Sequence, residues 1–162
     1  MLGLFVFYLG TKRPPTKVEN PPEVVVTPAE APREVELVLY FAGEDGFVVE
    51  RRRVELGPFE VQVERAVAEL ARGPEVVGAR PLLPEGLPPP QVYVAGKTVY
   101  VDLPSAYREL NLGVRGESLL LYGLANTALA NSDADEVRFL LGGKPAMALI
   151  HLSLADPFRR PR

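Results

Sequence analysis

Apolar and polar residues alternate most clearly in Val35-Glu-Leu-Val-Leu-Tyr-Phe41, where Val35, Leu37, Leu39 and Phe41 fall on one face. A period of two over this length predicts a half-buried β-strand. Gly43-Glu-Asp-Gly46 supplies a turn, and Phe47 to Val54 predicts a returning strand. The period then changes to that of a helix. Phe59, Val63, Val67 and Leu70 form an apolar stripe, and Gly57-Pro58 predicts its start, with proline at the first helical position, where no donor is lost. Glu60 and Glu64 suit the positive end of the helix, and Arg72, Gly73 and Pro74 give it a cation, a left-handed cap and a stop.

Beyond Pro81-Leu-Leu-Pro84, Gly96-Lys97 is a two-residue turn between Gln91–Ala95 and Thr98–Leu103, a hairpin signal. A second helix is predicted over about Gly116 to Ala130, with Leu120, Leu121, Leu124, Ala125 and Ala128 on one wide apolar face. Glu136–Leu141 and Leu149–Leu154 read as final strands joined by Gly142-Gly-Lys-Pro145. The order ββαββαββ predicts an α+β domain, a single mixed β-sheet packed against two helices.

The N-terminal zones differ in composition. Residues 1–10 contain the apolar run Leu2 to Leu9, too short for a membrane span of about 20 residues. It reads either as the trailing end of an N-terminal anchor that begins upstream of Met1 or as a loosely packed apolar terminus. Lys12 and Arg13 weigh against the anchor, because positive charge favours the cytoplasmic side. Residues 11–33 carry six prolines and predict an extended linker of roughly 60 Å at about 3.1 Å per residue. Residues 34–158 are then the folded domain, and 159–162 a basic tail.

A net charge of −3 and a pI near 5.3 argue against nucleic-acid binding. Arg51-Arg-Arg53 is the only dense basic run, and strand alternation places Arg51 and Arg53 on one face and Arg52 on the other. It reads as a solvated strand end, with a basic docking patch as the alternative. No cysteine is present, which excludes disulfides, thiolate metal sites and a cysteine nucleophile. Arginine outnumbers lysine, 14 to 4, and asparagine and glutamine total six, a bias compatible with a thermophile or a GC-rich genome.

Candidate chemistry is sparse. Ala95-Gly-Lys-Thr98 imitates the end of a phosphate loop, but Gln91 occupies the position of the first glycine and a strand follows where a helix is needed. His151 is the only histidine, and no Gly-x-Ser-x-Gly elbow occurs, so it reads as structural. Asp133-Ala-Asp-Glu136 lacks the glycine and distal glutamate of a calcium loop. The sequence therefore calls for no catalytic residue, no cofactor and no metal. Leu119, Tyr122 and Asn126 project at roughly 140–200° from Glu117, whereas the core stripe of that helix centres near 20°. This flank is apolar for a solvent face, and reads either as covered by another element or as a partner surface.

In their order and spacing these pieces resemble the GerMN domain of sporulation and germination proteins. The resemblance is carried by Val38-Leu-Tyr-Phe41, Phe47-Val-Val-Glu-Arg-Arg52, Leu70-Ala-Arg-Gly-Pro74, Leu82-Leu-Pro-Glu-Gly86, Val99-Tyr-Val-Asp-Leu103 and Val137-Arg-Phe-Leu-Leu-Gly-Gly143, over about residues 35–156. It implies a fold similar to the ring-building domains of secretion and sporulation complexes, and an extracytoplasmic, non-catalytic role on an anchored protein. Two departures stand out: there is no lipobox cysteine, and Leu141 replaces the usual acid of the late strand.

The resulting expectation is a membrane-tethered interaction domain of the envelope that meets another envelope protein or a second copy of itself. No nucleic acid is involved, and contact with the membrane is through the N-terminal segment only. A small-ligand or glycan-binding envelope module is the alternative, and a hydrolase, which would need His151 bonded to a serine and an aspartate, comes third.

Overall fold

The computed structural model describes residues 31–160. The apolar stretch of residues 1–10, nearly all of the proline-rich linker and the last two residues of the basic tail lie outside the described residues.

Strands β1 (Arg33–Ala42) and β2 (Phe47–Leu56) form an antiparallel hairpin, with Leu37 opposite Arg52 and Leu39 opposite Glu50. Helix α1 (Gln62–Arg72) follows, then β3 (Gln91–Ala95), β4 (Thr98–Leu103), α2 (Gly113–Ala130), β5 (Glu136–Leu141), β6 (Lys144–Pro145) and β7 (Phe158–Arg159). β3 pairs antiparallel with β4, and β4 runs parallel to β5, with α2 as the crossover that parallel pairing requires. β6 and β7 both pair antiparallel with β5.

The expected α+β class, with two helices and mixed strand pairing, is what the chain forms. The strands nevertheless divide into two hydrogen-bonded groups, a two-stranded hairpin and a five-stranded sheet, where one sheet was expected. The reason lies in α2. Its Thr127 Oγ1 accepts from the Tyr40 N–H at 3.1 Å, while Asn131 accepts from the Val38 N–H at 3.1 Å and donates to the Val38 carbonyl at 2.8 Å. These side chains occupy the free edge of β1 as a neighbouring strand would, so the sheet does not continue there.

Leu37, Leu39 and Phe41 of β1 meet Val63, Ala66, Val67 and Leu70 of α1, Leu120, Leu121, Leu124 and Ala128 of α2, and Val99, Val101, Val137 and Phe139 of the sheet in one core. Leu82, from the proline-studded loop, closes it against Gly123. A Cβ added to that glycine would come within 2.6 Å of the Leu82 side chain.

Two expectations at element boundaries are corrected. α1 begins at Gln62 instead of at Pro58. Gly57 to Glu60 form a tight turn, with the Glu60 N–H bonded to the Gly57 carbonyl at 3.2 Å and the Glu60 carboxylate accepting from the Gly57 N–H at 2.9 Å. Proline suits the second position of a turn as well as the first turn of a helix, because both need φ near −65°. Phe59 is therefore off the helix stripe, in the left-handed region at φ 66° and 87% exposed. The second correction is at Leu149–Leu154, which is not a strand; only an isolated bridge joins Ala148 to Ser153.

Candidate functional site

The absence of that last strand follows from Glu117. This residue lies on the apolar stripe of α2, three and four positions before Leu120 and Leu121, and it is wholly buried. Its carboxylate accepts from three successive backbone N–H groups, those of Ile150 (3.0 Å), His151 (2.9 Å) and Leu152 (2.9 Å), and meets His151 Nδ1 at 2.8 Å. Successive N–H groups of an extended strand point in opposite directions. Three that converge on one anion require a curled backbone, of the kind that elsewhere cradles phosphate. Here the chain's own carboxylate fills the cradle. Burial pushes the Glu117 carboxyl up, but the N–H groups of Leu152, Ile150 and His151 and the histidine ring outweigh it, leaving the group below the ordinary carboxylate value.

His151 is thus half-exposed and paired with a glutamate. The serine and aspartate that a hydrolase reading would need are not its partners: Ser153 Oγ accepts from the Ala155 N–H instead. The acidic run at Asp133–Glu136 behaves as a connection. The backbone carbonyl of Asp133 accepts from Lys97 Nζ at 2.8 Å, and Glu136 pairs with Arg138 and Arg159. Among the described residues no group of three or more potential ligands could hold a metal ion.

The second charged centre is Arg52. Alternation sends Arg51 and Arg53 outward, as the pattern predicts, and turns Arg52 into the space between β2 and the end of α1, where it is 8% exposed. It pairs with Glu50 (2.5 Å) and Glu69 (2.7 Å) and donates to the Gly73 carbonyl (3.0 Å). Glu50 in turn accepts from the Glu75 N–H at 2.9 Å, and Glu69 also binds Arg65 and Arg72. Burial pushes Glu69 up, and its hydrogen bonds from Arg52 and Arg72, with their charges, bring it below the ordinary value. The network clamps the α1 C-terminus to β2. Glu117 was not singled out by sequence reasoning, and the reading of Arg51-Arg-Arg53 as a solvated strand end is corrected at Arg52, which is buried because Glu50 and Glu69 meet its guanidinium. The signal available was a charge on a face whose other members are apolar.

The flank of α2 lies as follows. Tyr122 is 46% exposed, and its ring packs edge-on against Phe158 with centroids 4.9 Å apart. Asn126 is half-buried and shares with Tyr122 a groove of about 450 Å³, whose other wall is the C-terminal segment around Asp156 and Phe158. Leu119, one turn earlier, is half-buried against the core and lines a separate depression with Arg115 and Arg80. The three residues follow one another along the helix, but they do not open into one pocket.

The fold has solved counterparts. The chain is similar to the first GerMN domain of the sporulation protein GerM from Bacillus subtilis, with 20% identity and a TM-score of 0.58 over 78% of this chain and 98% of that one. It is also similar to the tandem GerMN domains of the same protein, with 17% identity and a TM-score of 0.54 over 86% of this chain and 50% of that one. A Clostridium perfringens protein described as a lipoprotein matches at 16% identity and a TM-score of 0.51, over 80% and 88% of the two chains. Among curated proteins, none matches. The family model Germane, described as sporulation and spore germination, matches residues 38–147. The chain therefore belongs to the Germane family of sporulation and spore germination domains.

Proposed function

We propose that this chain is a non-catalytic interaction domain that works outside the cytoplasm, tethered to the cytoplasmic membrane through its N-terminal segment, and that the flank of α2 receives another envelope protein. The family membership supports an envelope role, because one structural relative is described as a lipoprotein and another is a sporulation protein. The observation that carries the reading is Tyr122. It is a large side chain left about half exposed on α2, steadied by Phe158 and set at the mouth of a groove with Asn126. An aromatic ring with a polar tip, held rigid and only partly covered, is the composition favoured at protein interfaces. The charged groups do not compete with this reading: Glu117 and Arg52 are spent on holding loops and helix ends together. Among the described residues no helix is long and apolar enough to cross a membrane, and the N-terminal segment to which this reading assigns the tether lies outside them.

The test is capture of the envelope partner by the full chain carrying Tyr122→Ala with Asn126→Arg. Leu119 is left intact because it packs on the core. Capture should be lost while the melting temperature moves by no more than about 2 °C, as for substitutions away from the core. Retained capture by this folded variant refutes the α2 flank as the docking surface.

A further inference from the structure

The free edges of the strands are not equally protected. β2 carries Arg51, Arg53 and Glu55 along its outward face, and the far side of the five-stranded sheet ends in Lys144-Pro145 and Arg159. Charges and proline are the usual guards against strand addition. β3 has none of them: it reads Gln91-Val-Tyr-Val-Ala95, uncharged and rich in strand-forming residues.

Its hairpin geometry determines which backbone groups face outward. Ala95 and Thr98 flank the two-residue turn at Gly96-Lys97, with Gly96 at φ 58°. In such a hairpin the flanking pair exchanges both hydrogen bonds. Ala95, Tyr93 and Gln91 therefore bond to β4, and Val92 and Val94 turn their N–H and C=O groups away from it. Among the described residues no group pairs with them. Beside the edge run two grooves, one of about 380 Å³ walled by Glu64 and Ala68 of α1, and one of about 690 Å³ that includes Val94, Phe59 and Val61. Val94 is 47% exposed and Tyr93 49%.

We propose that β3 pairs antiparallel with β3 of a second copy of this chain, about a two-fold axis through Tyr93. The strand is close to palindromic in character, which is the self-complementarity an isologous interface needs. With Tyr93 opposite itself, Val92 meets the partner's Val94, and each exchanges N–H and C=O with the other, so all four outward groups on each strand are satisfied. Val94 then extends the core layer, on the same face as buried Val92, and the two Tyr93 rings meet on the open face beside Tyr100. Pro90, which has no N–H, and the turn at Gly96 bound the pairing to five residues, the length of the self-complementary stretch. This surface is distinct from the α2 flank, and the proposal does not depend on that one.

The absence of cysteine from the chain makes the geometry directly testable. Tyr93 would sit opposite itself in a non-hydrogen-bonded pair with Cα atoms about 4.5 Å apart, within disulfide range. In the full chain, Tyr93→Cys should crosslink to a covalent dimer under mild oxidation. Gln91→Cys should not, because four residues of offset put it roughly 13 Å from its own copy. Sedimentation of the wild-type chain across about a hundredfold concentration range should show a monomer–dimer equilibrium. Val94→Pro, which deletes an outward donor but no β3–β4 bond, should shift it to monomer, and Val94→Lys, which puts a charge on the edge, should do the same if the proline variant misfolds. A wild-type chain that stays monomeric overturns the proposal. So does a dimer that persists in Val94→Lys, or equal crosslinking of the two cysteine variants.

Discussion

Replacing Glu117 with alanine strips the acceptor from three backbone N–H groups at once, at Ile150, His151 and Leu152, and removes the partner of the His151 ring. Hydrogen bonds to a charged acceptor contribute about 1.5–3 kcal/mol each, and three summed independently would give about 5–9 kcal/mol. The sum overstates the loss. Ile150 and His151 are partly exposed, so water reaches some of the freed donors, and bonds that share one acceptor are not additive. The expected cost is about 3–5 kcal/mol, the range for removing one member of a buried charged network. For a domain of this size that corresponds to a melting temperature lower by roughly 10–20 °C. Glu117→Gln keeps the shape and one acceptor oxygen but turns an amide NH₂ toward the donors, and should cost about 1.5–3 kcal/mol. His151→Ala removes a single half-exposed bond and should cost no more than about 1 kcal/mol. Urea unfolding followed by circular dichroism ranks the three, and amide exchange of the glutamine variant should show protection lost first at residues 150–152. If His151→Ala proves as costly as Glu117→Ala, or if Glu117→Ala stays within about 1 kcal/mol of wild type, the carboxylate does not organise this loop.

Arg52→Met should cost about 3–5 kcal/mol, because it leaves the buried Glu50 carboxylate without a cation and Glu69 with only Arg65 and Arg72; a cost under about 1 kcal/mol in denaturant titration would mean water replaces the guanidinium freely. Asn131→Ala should cost about 1–3 kcal/mol and deprotect the Val38 amide in hydrogen exchange, since it reopens the edge of β1. Acid should destabilise the domain. Glu117 and Glu69 titrate below the ordinary carboxylate value when folded, so the stability they contribute is complete above about pH 4.5 and is lost as pH falls through their lower folded values. A melting temperature flat from neutral pH to pH 3 would contradict this, and in Glu117→Gln the acid-dependent drop should shrink. His151→Ala should leave partner capture intact, because the imidazole serves the loop; loss of capture in a folded variant would give it a direct role.

Where local chemistry decides, the sequence was sufficient. The period of two in Val35–Phe41, the stripe ending at Arg72-Gly73-Pro74, the Gly96-Lys97 turn and the apolar face of α2 each mark an element by its own spacing, and the structure places strands and helices there. The outward turn of Arg51 and Arg53 was legible for the same reason: a strand's pleat is local. Pro58 marks the limit of this kind of reading, since its preferred φ serves a turn and a helix start alike, and only the Glu60–Gly57 contact separates them. Leu149–Leu154 marks another. Its pattern fits a strand, but a carboxylate more than thirty positions earlier gathers its N–H groups to one point, and no periodicity within the segment can report that. Asn131 and Thr127 likewise occupy the edge of β1, and so divide the single sheet that the sequence led one to expect. Burial of Glu117, Arg52, Glu50 and Glu69 was decided in tertiary structure alone, because a charge enters a core only where partners from distant segments meet it, and those partners are set by packing, not by neighbours in the chain.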